Sequence, residues 1–327
     1  MQRSIKWLFL LLIGTAAACT LLPDVGVPEP PPDNSDSAEI ARTTIEIPPT
    51  WTTQPTTVFS PTVTIPVTPS PVPTETPEAC DTPGEIVTGT YPSQIAGPTT
   101  RNYRVYLPPC YGRSNRAYPT LYMLHGNTHT DSIWDELGLD ETAEALIQAR
   151  QIPPLVIAMP DGGLIADISS GGPNSFEGVM LDEFIPFIEQ NYCAWPEPDG
   201  RAIGGLSRGG YWALEIAFRF SEQFVSVGGH SASLYDTAAG PELNPQFTGL
   251  TNDLGDLRIY FDIGENDYLI PNIQLLHEEM EEIGRSHVWV LNEGAHEDAY
   301  WALHAGEYLL WYSEPWPFFP SAYPTCQ

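Results

Sequence analysis

The sequence predicts an α/β domain: a mostly parallel sheet, opened by an antiparallel hairpin and covered by helices on both faces. Three observations lead there. From residue 80 onward, short apolar or β-rich runs alternate with amphipathic segments of helical period. The later runs are apolar nearly throughout, as in strands buried on both faces. The first two runs, residues 85–93 and 100–109, follow each other closely, which suits a hairpin at the sheet's edge.

The remaining strands are expected at residues 120–125, 154–159, 201–205, 224–228, 257–263 and 287–291. Helices are expected at 139–150, 179–192, 208–220, 272–283 and 298–312, each carrying apolar residues at i, i+3 and i+4 spacing. Two longer polar segments without clear period, 162–178 and 231–250, follow strands and are expected to shape substrate choice. About 245 residues from position 80 suffice for one large domain with a buried sheet. The chain is 42% hydrophobic and 17% charged, a balance that suits a globular enzyme.

The first eighty residues read differently. Arg3 and Lys6 precede an apolar run at residues 7–13, and Ala16-Ala17-Ala18-Cys19 follows. That order is an export signal, and its apolar run is too short for a permanent membrane span. The cysteine after small residues resembles the bacterial lipoprotein signal. On that reading residues 1–19 are the signal segment and Cys19 becomes the lipidated first residue; the other outcome is ordinary cleavage near the same point and secretion. Residues 20–79 are dominated by Pro and Thr, cannot bury a core, and are read as an extended tether before a domain at 80–327.

With 13 Lys plus Arg against 42 Asp plus Glu, the formal net charge is −29. Such a surface repels phosphate backbones and anionic headgroups, which excludes nucleic acid as a partner and leaves the lipid at Cys19 as the membrane contact. Export also decides the cysteines. Beyond Cys19 there are four, an even number expected to be oxidised. The open ends of the predicted hairpin bring Cys80 beside Cys110, which leaves Cys193 to pair with Cys326. No Cys/His spacing suggests a metal site, and no cofactor is implied.

Gly205-Leu206-Ser207-Arg208-Gly209 lies between a predicted strand and a predicted helix. A sharp strand-to-helix turn needs glycines on both sides, and it presents the Ser207 hydroxyl at the carboxyl end of the sheet. A nucleophilic serine needs a base and an acid, which in this arrangement follow in the order Ser, Asp or Glu, His. His296, in Gly294-Ala295-His296 after the last strand, fits the base. His277 and His304 fall inside helical patterns, His287 begins a strand, His129 lies in a loop, and His230 is a candidate for the pocket wall. Within residues 262–267, Asp262 lies in the strand and is expected to be structurally engaged. Asp267, past the glycine turn, is favoured as the acid over Glu265. The oxyanion donors are expected to be the backbone N–H groups of Arg208 and of Asn127, with Thr128 as the other candidate for the second. The Arg208 side chain could meet an anionic group or form a structural ion pair.

With these pieces in place, residues 101–311 resemble the putative-esterase family of α/β-hydrolases, which includes esterase D, feruloyl, acetyl-xylan and enterochelin esterases and the mycolyltransferases. The matching pieces are Arg104-Val105-Tyr106-Leu107-Pro108, Tyr122-Met123-Leu124-His125-Gly126 and Met159-Pro160-Asp161-Gly162. They continue through Gly205-Leu206-Ser207-Arg208-Gly209-Gly210, Gly264-Glu265-Asn266-Asp267 and Gly294-Ala295-His296. The resemblance implies the same trio, Ser207, Asp267 and His296. One difference concerns the pocket wall beside His296: many relatives carry a tryptophan soon after the histidine, whereas this chain has Glu297-Asp298-Ala299-Tyr300-Trp301. The expected activity is hydrolysis of carboxylic esters of small molecules or carbohydrates through an acyl-enzyme on Ser207. Acyl transfer of the mycolyltransferase type and a non-catalytic surface-binding domain are the competing readings.

Overall fold

A computed structural model describes residues 81–95, 97–234 and 239–326. The predicted signal segment, Cys19, the tether and Cys80 lie outside the described residues.

Eight strands form one sheet in the order β1-β2-β4-β3-β5-β6-β7-β8. They are β1 (Glu85–Ser93), β2 (Thr99–Leu107), β3 (Thr120–Leu124), β4 (Val156–Pro160), β5 (Arg201–Leu206), β6 (Ser226–His230), β7 (Arg258–Gly264) and β8 (Val288–Asn292). β1 and β2 pair antiparallel from Glu85↔Leu107 to Ser93↔Thr99, and β2 meets β4 antiparallel. All other pairings are parallel. β2 ends at Leu107, short of the expected residue 109, because Pro108 and Pro109 carry no N–H for the ladder.

The helices are α1 (Ile133–Glu136), α2 (Leu139–Gln148), α3 (Gly163–Ile168), α4 (Phe176–Gly178), α5 (Ile185–Asn191), α6 (Arg208–Arg219), α7 (Pro245–Thr251), α8 (Ile270–Glu282) and α9 (Asp298–Ser313). The helix expected over 179–192 begins with a π-helical stretch, Val179–Phe184, that ends two residues before Pro186, whose missing N–H interrupts α-helical bonding. The segments 162–178 and 231–250, expected without regular structure, contain α3, α4 and most of α7. These are short pieces whose period is too brief to register in sequence.

Strand residues divide by parity between two apolar layers. Tyr122, Leu124, Val156, Ala158, Phe261 and Ile263 face one layer, where Tyr211, Trp212, Phe218 and Ile273 of the helices pack. Leu121, Met123, Ile157, Met159 and Tyr260 face the other, against Trp134, Trp301, Tyr308, Leu309 and Tyr312. In α9 the buried set Trp301, Ala305, Tyr308, Leu309 and Tyr312 recurs at four, seven, eight and eleven residues, a single helical stripe. The result is a sheet between two helical layers, with the carboxyl ends of the parallel strands converging along one edge.

The C-terminal tail is tied back to the domain. Cys193 and Cys326 are disulfide-bonded with their Cα atoms 5.3 Å apart. Beside them, Ala117 N–H donates to the Pro324 carbonyl (2.9 Å) and Cys326 N–H to the Asn115 carbonyl (3.0 Å). At the open end of the hairpin, Cys110 N–H donates to the Thr82 carbonyl (3.3 Å), and Cys110 is itself disulfide-bonded.

Candidate active site

Ser207 sits between β5 and α6 with φ 54° and ψ −116°, a conformation strained for any residue with a side chain. The turn closes this tightly because its flanks are glycine. A Cβ on Gly205 would strike the Gly209 backbone, and one on Gly209 would strike the carbonyl oxygens of Leu124 and His125. The strain is held by backbone bonds on both sides. Ser207 N–H donates to the His230 carbonyl (2.9 Å), and Ser233 N–H donates to the Ser207 carbonyl (2.9 Å).

The loops after β7 and β8 are joined to each other. Glu265 N–H donates to the Asn292 carbonyl (2.7 Å) and Asn266 N–H to the Gly294 carbonyl (2.8 Å). That contact brings Asp267 to His296. His296 Nδ1 lies 2.9 Å from Asp267 Oδ2, and His296 Nε2 lies 2.9 Å from Ser207 Oγ. A carboxylate only accepts, so Nδ1 carries the proton and Nε2 offers its lone pair to the serine hydroxyl. The other oxygen of Asp267 accepts from Leu269 N–H at 2.9 Å. The Asp267 side chain is fully buried, whereas the His296 side chain keeps 13% exposure. Glu265, the competing carboxylate, is exposed.

Leu124-His125-Gly126-Asn127 passes directly over the serine. A Cβ on Gly126 would stand 3.2 Å from Ser207 Cβ. His125 fixes this loop: its Nδ1 donates to the Gly126 carbonyl (2.8 Å), while its Nε2 accepts from Gly162 N–H (2.8 Å). Asn127 and Thr128 are exposed beyond it, and Thr128 has φ 68°. Arg208 opens α6, where a backbone N–H has no intrahelical acceptor.

The Arg208 side chain is buried. Its guanidinium donates to the Ala166 carbonyl (3.2 Å) and the Ser169 carbonyl, 4.3 Å from the centre of the Tyr211 ring. Trp212 Nε1 also donates to the Ala166 carbonyl (2.9 Å), and the Tyr211 hydroxyl donates to the Ser170 carbonyl (2.8 Å). The helix that carries the serine thus holds α3 and the turn after it in place. Farther along α6, burial pushes the Glu215 carboxyl well above the usual range while Arg219 donates to it (3.0 Å).

Three features are fixed only by the fold. Trp301, five residues past His296, packs edge-on against its ring at 5.0 Å, which supplies an aromatic wall from the next turn of chain. Tyr268, next to Asp267, lies against the same imidazole with ring centres 4.8 Å apart. His230, a candidate for the pocket wall, is instead fully buried under the site. Its Nδ1 donates to Asp262 (2.7 Å), which also accepts from the hydroxyls of Tyr300 (2.8 Å) and Tyr308 (2.6 Å). Among the described residues no group of three His, Cys, Asp or Glu side chains could hold a metal ion.

The strand order and the serine turn define an α/β-hydrolase domain, and comparison with known proteins agrees. The model of the family described as "Putative esterase" matches residues 96–313, and the chain belongs to that family. By family, this domain is a carboxylic-ester hydrolase domain. Esterase Rv1288 of Mycobacterium tuberculosis is 36% identical over 134 residues, which cover 39% of this chain and 28% of that protein. The endo-1,4-beta-xylanase/feruloyl esterase of Xylanibacter ruminicola is 32% identical over 162 residues, covering 46% and 22% respectively. The match therefore spans less than a third of either curated relative. Among solved structures, a ferulic acid esterase superposes with a TM-score of 0.64 at 24% identity, over 72% of this chain and 98% of that one. An S-formylglutathione hydrolase from Agrobacterium tumefaciens gives 0.59 at 17% identity, over 72% and 96%. These two likenesses concern the fold.

Proposed function

We propose that the protein is an exported serine esterase that hydrolyses carboxylic esters, acyl groups on carbohydrates among them, through an acyl-enzyme on Ser207. The observation that carries this is the continuous hydrogen-bonded line from Asp267 through His296 to Ser207 Oγ. His296 Nε2 takes the hydroxyl proton as Oγ attacks the ester carbonyl, and the backbone N–H groups of Arg208 and Asn127 receive the oxyanion. The tetrahedral intermediate collapses, the C–O bond to the alcohol breaks, and His296 returns its proton to the departing alcohol. Water then attacks the acyl-enzyme by the same route and releases the acid with Ser207 restored. Asp267 stabilises the imidazolium and keeps the ring in the required tautomer.

Export is supported by the basic and apolar leader ending at Cys19 and by the Cys193–Cys326 disulfide, a bond that persists in oxidising compartments. A lipid on Cys19 and the Pro/Thr-rich stretch over 20–79 would hold the domain at the outer face of a membrane. Relatives named for feruloyl and acetyl ester cleavage set the first acyl groups to try.

The decisive measurement is labelling with a fluorophosphonate probe. Wild-type protein is expected to label and Ser207→Ala not to, with ester turnover falling by several orders of magnitude across acetyl, butyryl and feruloyl esters. A label that survives Ser207→Ala would overturn the assignment.

A further inference from the structure

We propose that His129 is a positioning residue: wedged between Gly126 and Asp298, it braces the loop of Asn127 against the loop that carries His296. The inference rests on the acyl-enzyme reading above, in which the Asn127 N–H receives the oxyanion, and concerns how that donor and the base are held in register.

The direction of the donor is set by one peptide. The Gly126 carbonyl accepts from His125 Nδ1 (2.8 Å) and from His129 N–H (3.2 Å). The peptide from Gly126 to Asn127 is trans, so the Asn127 N–H points opposite to that carbonyl. Whatever fixes the carbonyl therefore aims the N–H. The bond from His129 closes a turn over residues 126–129 that carries a cost inside it. Thr128, the third residue of the turn, has φ 68°, where a β-branched side chain is strained and glycine or asparagine is usual. Such a turn persists because its surroundings hold it.

The His129 ring is the part of the surroundings in position to do so. A Cβ on Gly126 would lie 3.2 Å from Ser207 Cβ and 3.4 Å from His129 Nδ1, so the ring borders the turn close to the nucleophile. His129 Nδ1 is shut off from solvent and has no hydrogen-bond partner among the described residues, so a proton there would be left unpaired. The proton belongs on Nε2, which faces Asp298 Oδ1 at 3.6 Å, an electrostatic contact. Asp298 stands two residues past His296, on a turn that is itself tied down. Glu297 N–H donates to the Ala295 carbonyl (3.0 Å), and Tyr300 N–H donates to the Glu297 carbonyl (3.0 Å). One side chain thus joins the loop at 126–129 to the loop at 295–298. His125 ties the first loop to Gly162 instead, so loss of His129 leaves that loop attached but free to turn relative to the base.

Kinetics on an activated acetyl ester test the brace. His129→Ala should lower kcat about tenfold and leave KM within about twofold, because the donor serves the oxyanion and not the bound ester. An aryl trifluoromethyl ketone takes Ser207 Oγ on its carbonyl carbon, with the hydroxyl proton passing to His296, and keeps an oxygen anion; its affinity should fall by a similar factor. Asp298→Ala, on a side chain 60% exposed, keeps the test open where His129→Ala fails to fold. It should cost about threefold in kcat, and the double variant should be no worse than His129→Ala alone, since the two side chains form one contact. Thr128→Gly supplies the rescue: in that background the turn needs no brace, and adding His129→Ala should cost less than about twofold. A loss from His129→Ala undiminished by Thr128→Gly, losses that multiply in the double variant, or a raised KM with unchanged kcat would each overturn the proposal. Fluorophosphonate labelling is run on the same samples. Labelled wild-type protein with an indifferent His129→Ala sinks the brace alone, whereas wild-type protein that does not label sinks the acyl-enzyme reading with it.

Discussion

The backbone N–H of Ser207 donates to the carbonyl of His230 across 2.9 Å, so the strained turn hangs from a residue that is itself fully buried. The His230 ring stacks on Tyr308 at 3.7 Å, accepts at Nε2 from the Tyr312 hydroxyl (3.1 Å), and donates at Nδ1 to Asp262. Asp262 thus anchors three donors in a dry core. Asp262→Leu leaves those donors unpaired and should destabilise the domain by ~3–5 kcal/mol, read from urea unfolding. A loss below 1 kcal/mol would mean that the network relaxes around the substitution.

The role proposed for Asp267 is separable from that of Glu265 by kinetics. Asp267→Asn can neither stabilise the imidazolium nor enforce the tautomer, and should lower turnover of an activated ester by about 10⁴. Glu265→Gln, on an exposed side chain, should cost no more than a few-fold. A larger loss for Glu265→Gln would transfer the acid role to that carboxylate.

Stability should depend on Asp140. Burial, with a hydrogen bond to Glu141 next, raises its carboxyl from the ordinary carboxylate range to about 7. A folded-state value raised in this way contributes stability below pH 4, which is lost as the pH climbs through about 7 and the group must ionise in place. Asp140→Asn, neutral throughout, should therefore narrow the drop in Tm between pH 5 and pH 8. An unchanged drop would show that another group controls that range.

The bond between Cys193 and Cys326 spans 133 residues of sequence. Cys326→Ser should lower stability by ~2–4 kcal/mol under oxidising conditions, a difference that disappears when both proteins are reduced. Denaturant midpoints with and without reductant provide the comparison.

Much of this arrangement is written locally, and the remainder is not. The turn around Ser207, the glycine turn before Asp267 and the loop carrying His296 each announce themselves within six residues, because backbone sterics demand glycine there. The inner strands β3 to β7 are legible because parallel strands buried on both faces read as apolar runs. What stays hidden depends on partners far away in sequence. His230 reads as a polar residue near the site until Asp262, Tyr308 and Tyr312 surround it. Arg208 reads as a partner for an anionic group or a neighbouring carboxylate until the chain at 166–169 folds over it and its carbonyls take the guanidinium. Trp301 stands five residues from His296 in sequence, and only the first turn of α9 swings it against the imidazole.

The disulfide also has a topological meaning. The chain from residue 193 to residue 326, closed by the sulfur bridge, is a covalent ring, and Ser207, Asp267 and His296 all lie on it. A protease that cuts once anywhere along that arc opens the ring without dividing it, so Ser207, His296 and Asp267 remain parts of one molecule. For the exported protein proposed above, such a ring turns a severing event into a nick.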